Sequence, residues 1–319
     1  MYIDFIKNRF KFYAFAIFLT LTCIFSIVFL PVNLGIDVTG GTQAEFEYQG
    51  NINLDNVKKI AEDSKIGLKG SEAINNVTVY KVTGENQIII ETGFSKNKIA
   101  EKELGALKLE YKTNLVKKIA LDSSKPVLTK YTDIGEAFGQ YIRTTAYVTV
   151  ILVIICISLY IGWAFRKSEK SISGFSFATV TMISLFHDVV ATLGLYIITG
   201  HFLKEFKIDI FFITAMLTVL GYSVSDTIVI MDRIRTVLQR QKGVIILKKV
   251  VNDAINSTLT RSIYTPLMVL LMLSAMFFFG PQSIKGFTLA MIYGTIVGTY
   301  SSIALAATIL YDLNKKKFK

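Results

Sequence analysis

Asp226 lies inside an apolar run, residues 210–231, that is long enough to cross a bilayer and has no basic residue of its own. A carboxylate near the middle of a spanning helix costs about 2.5–3.5 kcal/mol on insertion scales. Such a group has to face a protein-lined or watery interior, or stay protonated. Tyr222 is four residues before it and Ser223 three, so both share its helix face. This pattern suits a proton or ion site within a helix bundle. The other reading is a structural carboxylate hydrogen-bonded across a helix interface. His187-Asp188 puts a second carboxylate halfway along the run 175–199. There His187 would relay a proton or simply hydrogen-bond within the bundle. Arg261 precedes the run 263–279, close to the membrane level at which the Asp226 run ends. An arginine that reaches Asp226 would keep it charged until a proton arrives. The alternative is a snorkelling arginine at the membrane edge. Pro266 follows, where it can kink the helix.

Positioning these groups takes membrane helices. The chain has 319 residues, 52% hydrophobic and 18% charged, which is too apolar for an ordinary soluble domain. Its formal charge of +11 invites a nucleic-acid partner, but the basic residues sit in short segments flanking apolar runs, so none is expected. Cys23 and Cys156 both fall in apolar runs and read as packing residues. His187 and His201 are too few and too far apart for a metal site. No ATP-binding or hydrolytic motif is present, so the chain reads as a non-enzyme without a cofactor.

Six runs are long enough to span: 12–30, 145–165, 175–199, 210–231, 263–279 and 287–310. The first reads as an anchor. It is too long for a signal-peptide core, and no Ala-x-Ala-like cleavage site follows it. Lys7, Arg9 and Lys11, then Arg166, Lys167 and Lys170, then the connection 232–262, then Lys315, Lys316, Lys317 and Lys319 all fall on one side. The opposite short connections hold only Lys204, Lys207 and Lys285. The basic side is cytoplasmic, so both termini are expected inside. Within 232–262, the stripe Leu247, Val251, Ala254, Ile255 and Leu259 predicts a further amphipathic helix. It either lies along the membrane surface or packs on its own bundle.

Three segments result: 1–31 with the first span, an extracytoplasmic domain at 32–142, and 143–319 with spans two to six. The outer domain reads as βαββαβ, a split-βαβ, ferredoxin-like sheet. Its strands are expected near 42–48, 77–82, 87–91 and 127–131, with a hairpin turn at 83–86. Its helices are expected at 54–66 and 98–120, the latter with Leu104, Leu107, Tyr111, Leu115 and Ile119 on one face. Asp37, Gly40 and Gly41 form the junction between first span and sheet, with Asp37 as a cap or hinge. No Lys-Ser/Thr follows the glycines and no helix opens there, which excludes a phosphate-binding loop. In the sixth run Gly294, Gly298, Ser302 and Ala306 form a ridge of small residues for close helix packing.

Several of these stretches resemble the SecF family of bacterial protein-export subunits. Gly221-Tyr-Ser-Val-Ser-Asp226 and Asp232-Arg-Ile-Arg-Thr236 are similar to the family's Gly-Tyr-Ser-x-Asn-Asp and Asp-Arg-Ile-Arg-Glu, with Ser225 and Thr236 as departures. Gly35-Ile-Asp-Val-Thr-Gly-Gly-Thr42 departs only at Val38, where Phe is usual. Phe186-His-Asp188, Thr258-Leu-Thr-Arg261 and Gly294–Ser302 also match, although the residues after Arg261 differ from the common pattern. The resemblance implies half of a resistance-nodulation-division type bundle. It also implies a SecD-like partner, association with the SecYEG channel, and action after the SecA motor on an unfolded exported polypeptide. Protons would be the coupling ion, at the bacterial plasma membrane. Half of a small-molecule exporter of the same fold class is the alternative, disfavoured because the outer domain is too small for a substrate cleft. A passive scaffold would have no need of Asp188, Asp226 and Arg261.

Overall fold

The computed structural model describes residues 2–82, 84–95, 101–122, 125–166, 172–241 and 244–318. Thr83 of the expected turn, residues 98–100 of the expected helix, and Lys167, Lys170, Lys242 and Lys319 lie outside the described residues. The chain divides into two compact units. One comprises Met1–Val32, Val148–Phe202 and Phe211–Lys319, the other Asn33–Tyr147 with Leu203–Ile210.

The second unit holds a four-stranded antiparallel sheet. Its elements run α2 (Ile36–Thr39), β1 (Gly41–Glu47), α3 (Leu54–Asp63), β2 (Ile74–Lys81), β3 (Gln87–Phe94), α4 (Glu101–Ile119) and β4 (Val127–Ile134). The order β2-β3-β1-β4 is that of a split-βαβ, ferredoxin-like sheet. Asn53 caps α3 by accepting from the amides of Asp55 and Asn56. Val57 and Ala61 from α3 and Leu107, Tyr111, Leu115 and Ile119 from α4 bury against Phe46, Ile88 and Ile90 of the sheet. Strand β2 begins earlier than its alternation suggests, because a bulge between Asn75 and Val77 breaks the pattern, with Asn76 at φ 21°. The junction contains the single helical turn α2, which the sequence had not indicated. Asp37 sits inside that turn, and Gly35 occupies its N-cap. Gly40 and Gly41 adopt φ 77° and 137°. A Cβ on Gly40 would lie 2.5 Å from the Glu136 Cα, so only glycine allows this approach.

Six helical stretches among the described residues are long and apolar enough to cross a membrane. They are α1 (Arg9–Phe29), α5 (Glu136–Ala164), α6 (Gly174–Phe202), α7 (Ile210–Arg240), α8 (Leu247–Phe279) and the stretch Gln282–Phe318. That last stretch contains α9 (Lys285–Tyr300), a π-helical segment (Ser301–Ala306) and α10 (Ala307–Asn314). Helices α7 and α8 run well past the hydrocarbon limits read from hydropathy, so most of the connection 232–262 is helical. The apolar stripe 247–259 is not a separate surface helix. It opens α8, and Leu247, Val250, Val251, Ala254 and Ile255 bury in one core with Ile230, Met231, Ile234 and Leu238 of α7. Protein-facing apolar residues let the two helices extend beyond the bilayer as a packed pair. The segment before α1 joins this core through Phe5 and Ile6. It is pinned to α8 by the Ile6 amide donating to Asn252 Oδ1 (3.2 Å) and by a Lys248–Asp4 ion pair (2.8 Å). Pro266 lies within α8, which continues through it. Cys23 packs on α6, where a Cβ on Gly194 would lie 2.3 Å from the Cys23 Cβ. Cys156 is exposed on α5 and is not a packing residue. Apolarity alone does not separate an outward-facing from an inward-facing surface of a membrane helix.

Candidate functional site

Asp188 on α6 is completely buried and accepts a hydrogen bond from Ser223 Oγ of α7 at 2.5 Å. Its other oxygen lies 3.1 Å from His187 Nδ1. The remaining ring nitrogen of His187, Nε2, is buried with no hydrogen-bond partner. The imidazole also lies beside the Tyr300 ring, with centroids 5.8 Å apart.

Asp226 lies three residues after Ser223, so one face of α7 serves both carboxylates. It accepts from Ser302 Oγ at 2.5 Å. Ser302 belongs to the π-helical segment, a geometry frequent at functional sites. The same hydroxyl lies 3.0 Å from the Thr299 carbonyl. Ser262 of α8 is fully buried beside Asp226, and its hydroxyl completes no hydrogen bond. Arg261 acts on Asp226 through space but forms no ion pair with it; its side chain is exposed. Tyr222 lies within electrostatic reach of Asp226, with its hydroxyl on the Thr299 side.

The small-residue ridge explains how the helices come this close. A Cβ on Gly294 would lie 2.2 Å from Val219 Cγ2, and one on Gly298 would lie 3.1 Å from the Ser223 Cβ. Gly294, Gly298 and Ser302 thus face Val219, Ser223 and Asp226 in turn. Ala306, fully buried, continues into the bundle core. Ser184 of α6, one helical turn before Asp188, donates to Ser301 Oγ at 3.4 Å, beside Ser302 in the π-helical segment.

The structure therefore brings Asp188, His187, Ser223, Asp226 and Tyr222 into one region of the bundle. It leaves Arg261 at its edge. Sequence reasoning took Ser302 as packing only and did not single out Ser262, Ser301 or Ser184. A hydroxyl contributed from another span carries no periodic signal. Asp37, Gly40 and Gly41 belong to the outer unit.

Comparisons with known proteins agree with this architecture. Residues 114–316 match the family model of the SecD/SecF protein export membrane protein C-terminal region. Residues 25–52, around Gly40-Gly41, match the SecD/SecF GG motif. The chain is 31% identical over 317 residues to the protein translocase subunit SecF of Thermodesulfovibrio yellowstonii, covering 98% of this chain and 95% of that one. It is 31% identical over 318 residues to SecF of Thermobaculum terrenum, at 99% and 95% coverage. The crystal structure of SecDF from Thermus thermophilus, a translocon-associated membrane protein, is similar with a TM-score of 0.78 at 25% identity. That match covers 99% of this chain, which spans 39% of the longer SecDF chain. With one family model matching more than half of its residues and full-length relatives above 30% identity, the chain belongs to the SecD/SecF family of protein-export membrane proteins, on the SecF side.

Proposed function

We propose that this chain is the SecF-type subunit of a Sec translocase accessory complex. It pairs with a SecD-like subunit and uses the proton gradient to assist export of an unfolded polypeptide through the SecYEG channel, after SecA has acted. Both termini face the cytoplasm and the ferredoxin-like domain faces outward. Protons are the coupling ion, and the chain has no hydrolytic site. The observation that carries this reading is the Asp226–Ser302 hydrogen bond beside the buried Asp188–Ser223 pair.

The geometry supports two arrangements of one hydrogen-bond chain. With Asp226 ionised, the Ser302 hydroxyl donates to it. When Asp226 takes a proton, the carboxyl donates to Ser302 Oγ, and Ser302 turns its own proton to the Thr299 carbonyl. The partner of each group changes while every group stays satisfied. With Nδ1–H directed at Asp188, the bare Nε2 of His187 is a proton acceptor held in the bundle. Arg261, poised near Asp226, rewards its ionised form. One elementary charge crossing 100 mV supplies about 2.3 kcal/mol. That is enough to bias a helix pair with two discrete packings.

The test is gradient-dependent export in membrane vesicles that also hold the SecD-like subunit. Asp226→Asn is nearly isosteric and removes an expensive charge, so it keeps expression and partner association. It abolishes the gradient-dependent part of export and leaves ATP-driven initiation, and vesicles lacking the SecD-like subunit lose the same part. Wild-type export by the Asn variant across the full range of imposed gradients would make Asp226 structural.

A further inference from the structure

The connection between α6 and α7, Leu203–Ile210, is short, and in the sequence it figures only through Lys204 and Lys207 on the sparsely charged side. In the structure it belongs to the unit that contains the outer sheet. Its backbone is tied to the residues that follow α1. The Ile208 amide donates to the Asn33 carbonyl at 2.8 Å, and the Gly35 amide donates to the Ile208 carbonyl at 2.9 Å. The approach is close enough that a Cβ on Gly35 would lie 2.9 Å from the Asp209 Cβ.

Side chains fasten the same connection to the sheet. Lys207 is 8% exposed and ion-paired with Glu91 of β3, itself 8% exposed. Tyr80 of β2 donates its hydroxyl to the other Glu91 oxygen at 3.0 Å. The Lys207 ammonium also sits 4.1 Å from the centroid of the Tyr80 ring. Burial pulls Lys207 below the usual lysine range, and the neighbouring Glu91 opposes that pull. A turn needed only to reverse the chain is served by exposed polar residues. A desolvated ion pair needs good geometry and further partners to persist, and this one has both.

We propose that Leu203–Ile210 is a mechanical link from the α6–α7 pair to the outer domain, closed by Lys207 held between Glu91 and Tyr80. It rests on the reading that Asp226 protonation changes helix packing. Asp188 lies on the helix that enters this connection and Asp226 on the helix that leaves it. A shift between those helices therefore pulls on a segment pinned to both β3 and the start of the Asp37–Gly41 junction. The outer domain receives the movement through this link as well as through the two chain segments that lead into it and out of it.

The test places an environment-sensitive fluorophore at Leu121→Cys, on an exposed turn of the outer domain, or at Val244→Cys, exposed between α7 and α8. The background is Cys156→Ala, and the chain is reconstituted with its SecD-like partner in proteoliposomes. In the parent, an imposed proton gradient changes both signals, and Asp226→Asn removes both. Lys207→Met with Glu91→Gln leaves no unpaired charge; it keeps the Val244 response and cuts the Leu121 response at least fivefold. An unchanged Leu121 response in this double variant overturns the link while leaving the proton reading intact. If Asp226→Asn retains both responses, the underlying reading fails and the link with it. Loss of both signals together with a lowered thermal midpoint in the Lys207 and Glu91 variant would make the pair a folding determinant only, which also overturns the proposal.

Discussion

Ser302 is the residue whose role changes most between sequence and structure. As a member of a four-residue ridge it needs only to be small, and alanine would serve. As the donor to Asp226 it needs its hydroxyl. A hydrogen bond to a charged group is worth about 1.5–3 kcal/mol. Ser302→Ala is therefore expected to lower gradient-dependent export roughly tenfold, since about 1.4 kcal/mol is a factor of ten. Ser302→Thr keeps the hydroxyl and restores most of the loss if the extra methyl is accommodated. Equal export by the Ala variant and the parent, measured in the same vesicles, would return Ser302 to a packing role. Asp226, Asp188 and His187 were legible because an ionisable group inside an apolar run stands out by cost alone, and Ser223 and Tyr222 were legible from their spacing to Asp226. Ser262 and Ser302 were not, because hydroxyls are inexpensive in membrane helices and carry no such contrast. Arg261 was legible as a basic residue at the right depth. Its exposure shows that depth does not determine contact, since a long side chain at a helix end has several places to go.

At the scale of helices, the meeting of α7 and α9 depends on absent side chains. Val219 occupies the space that a Cβ on Gly294 would need. Gly294→Ala overpacks this crossing, and overpacking typically costs about 1–3 kcal/mol. The thermal midpoint of the purified protein is expected to fall by several degrees. Val219→Ala removes the opposing methyl groups, so adding it to Gly294→Ala should recover much of the loss. If the two changes simply add, the residues do not share a contact, and the crossing is held elsewhere. The glycine ridge itself was visible as a four-residue spacing. Its break into a π-helical segment was not, because Ser301–Ala306 has the same small, apolar composition as the regular helix beside it. The stripe 247–259 shows the complementary limit. Periodicity identified the helix and its apolar face, but the covering surface of α7 comes from a different part of the chain.

For the whole molecule, the alternation of basic and nearly uncharged connections set the expected sidedness, and the architecture adds an independent argument. The outer domain and Leu203–Ile210 fall in one compact unit, so these two connections share a side of the membrane. An odd number of crossings separates α1's start from the outer domain, and the same holds for the connection after α6, as six spans require. What the sequence could not reveal is that Lys204 and Lys207, counted only as two charges on the sparse side, lie in a segment fastened to the sheet. On the charge rule the polybasic segments are then expected to face the cytoplasm, where anionic lipid would attract them. In a Cys156→Ala background, a membrane-impermeant thiol reagent is expected to reach Leu121→Cys on intact cells. It should reach Val244→Cys only after the membrane is opened, while buried Cys23 stays unlabelled in both conditions. Each position is exposed, so absence of labelling reports sidedness rather than burial. Labelling of both positions on intact cells would break the six-span alternation. Labelling of Val244→Cys alone would keep the alternation and invert it, placing the outer domain in the cytoplasm and removing it from the path of an emerging polypeptide.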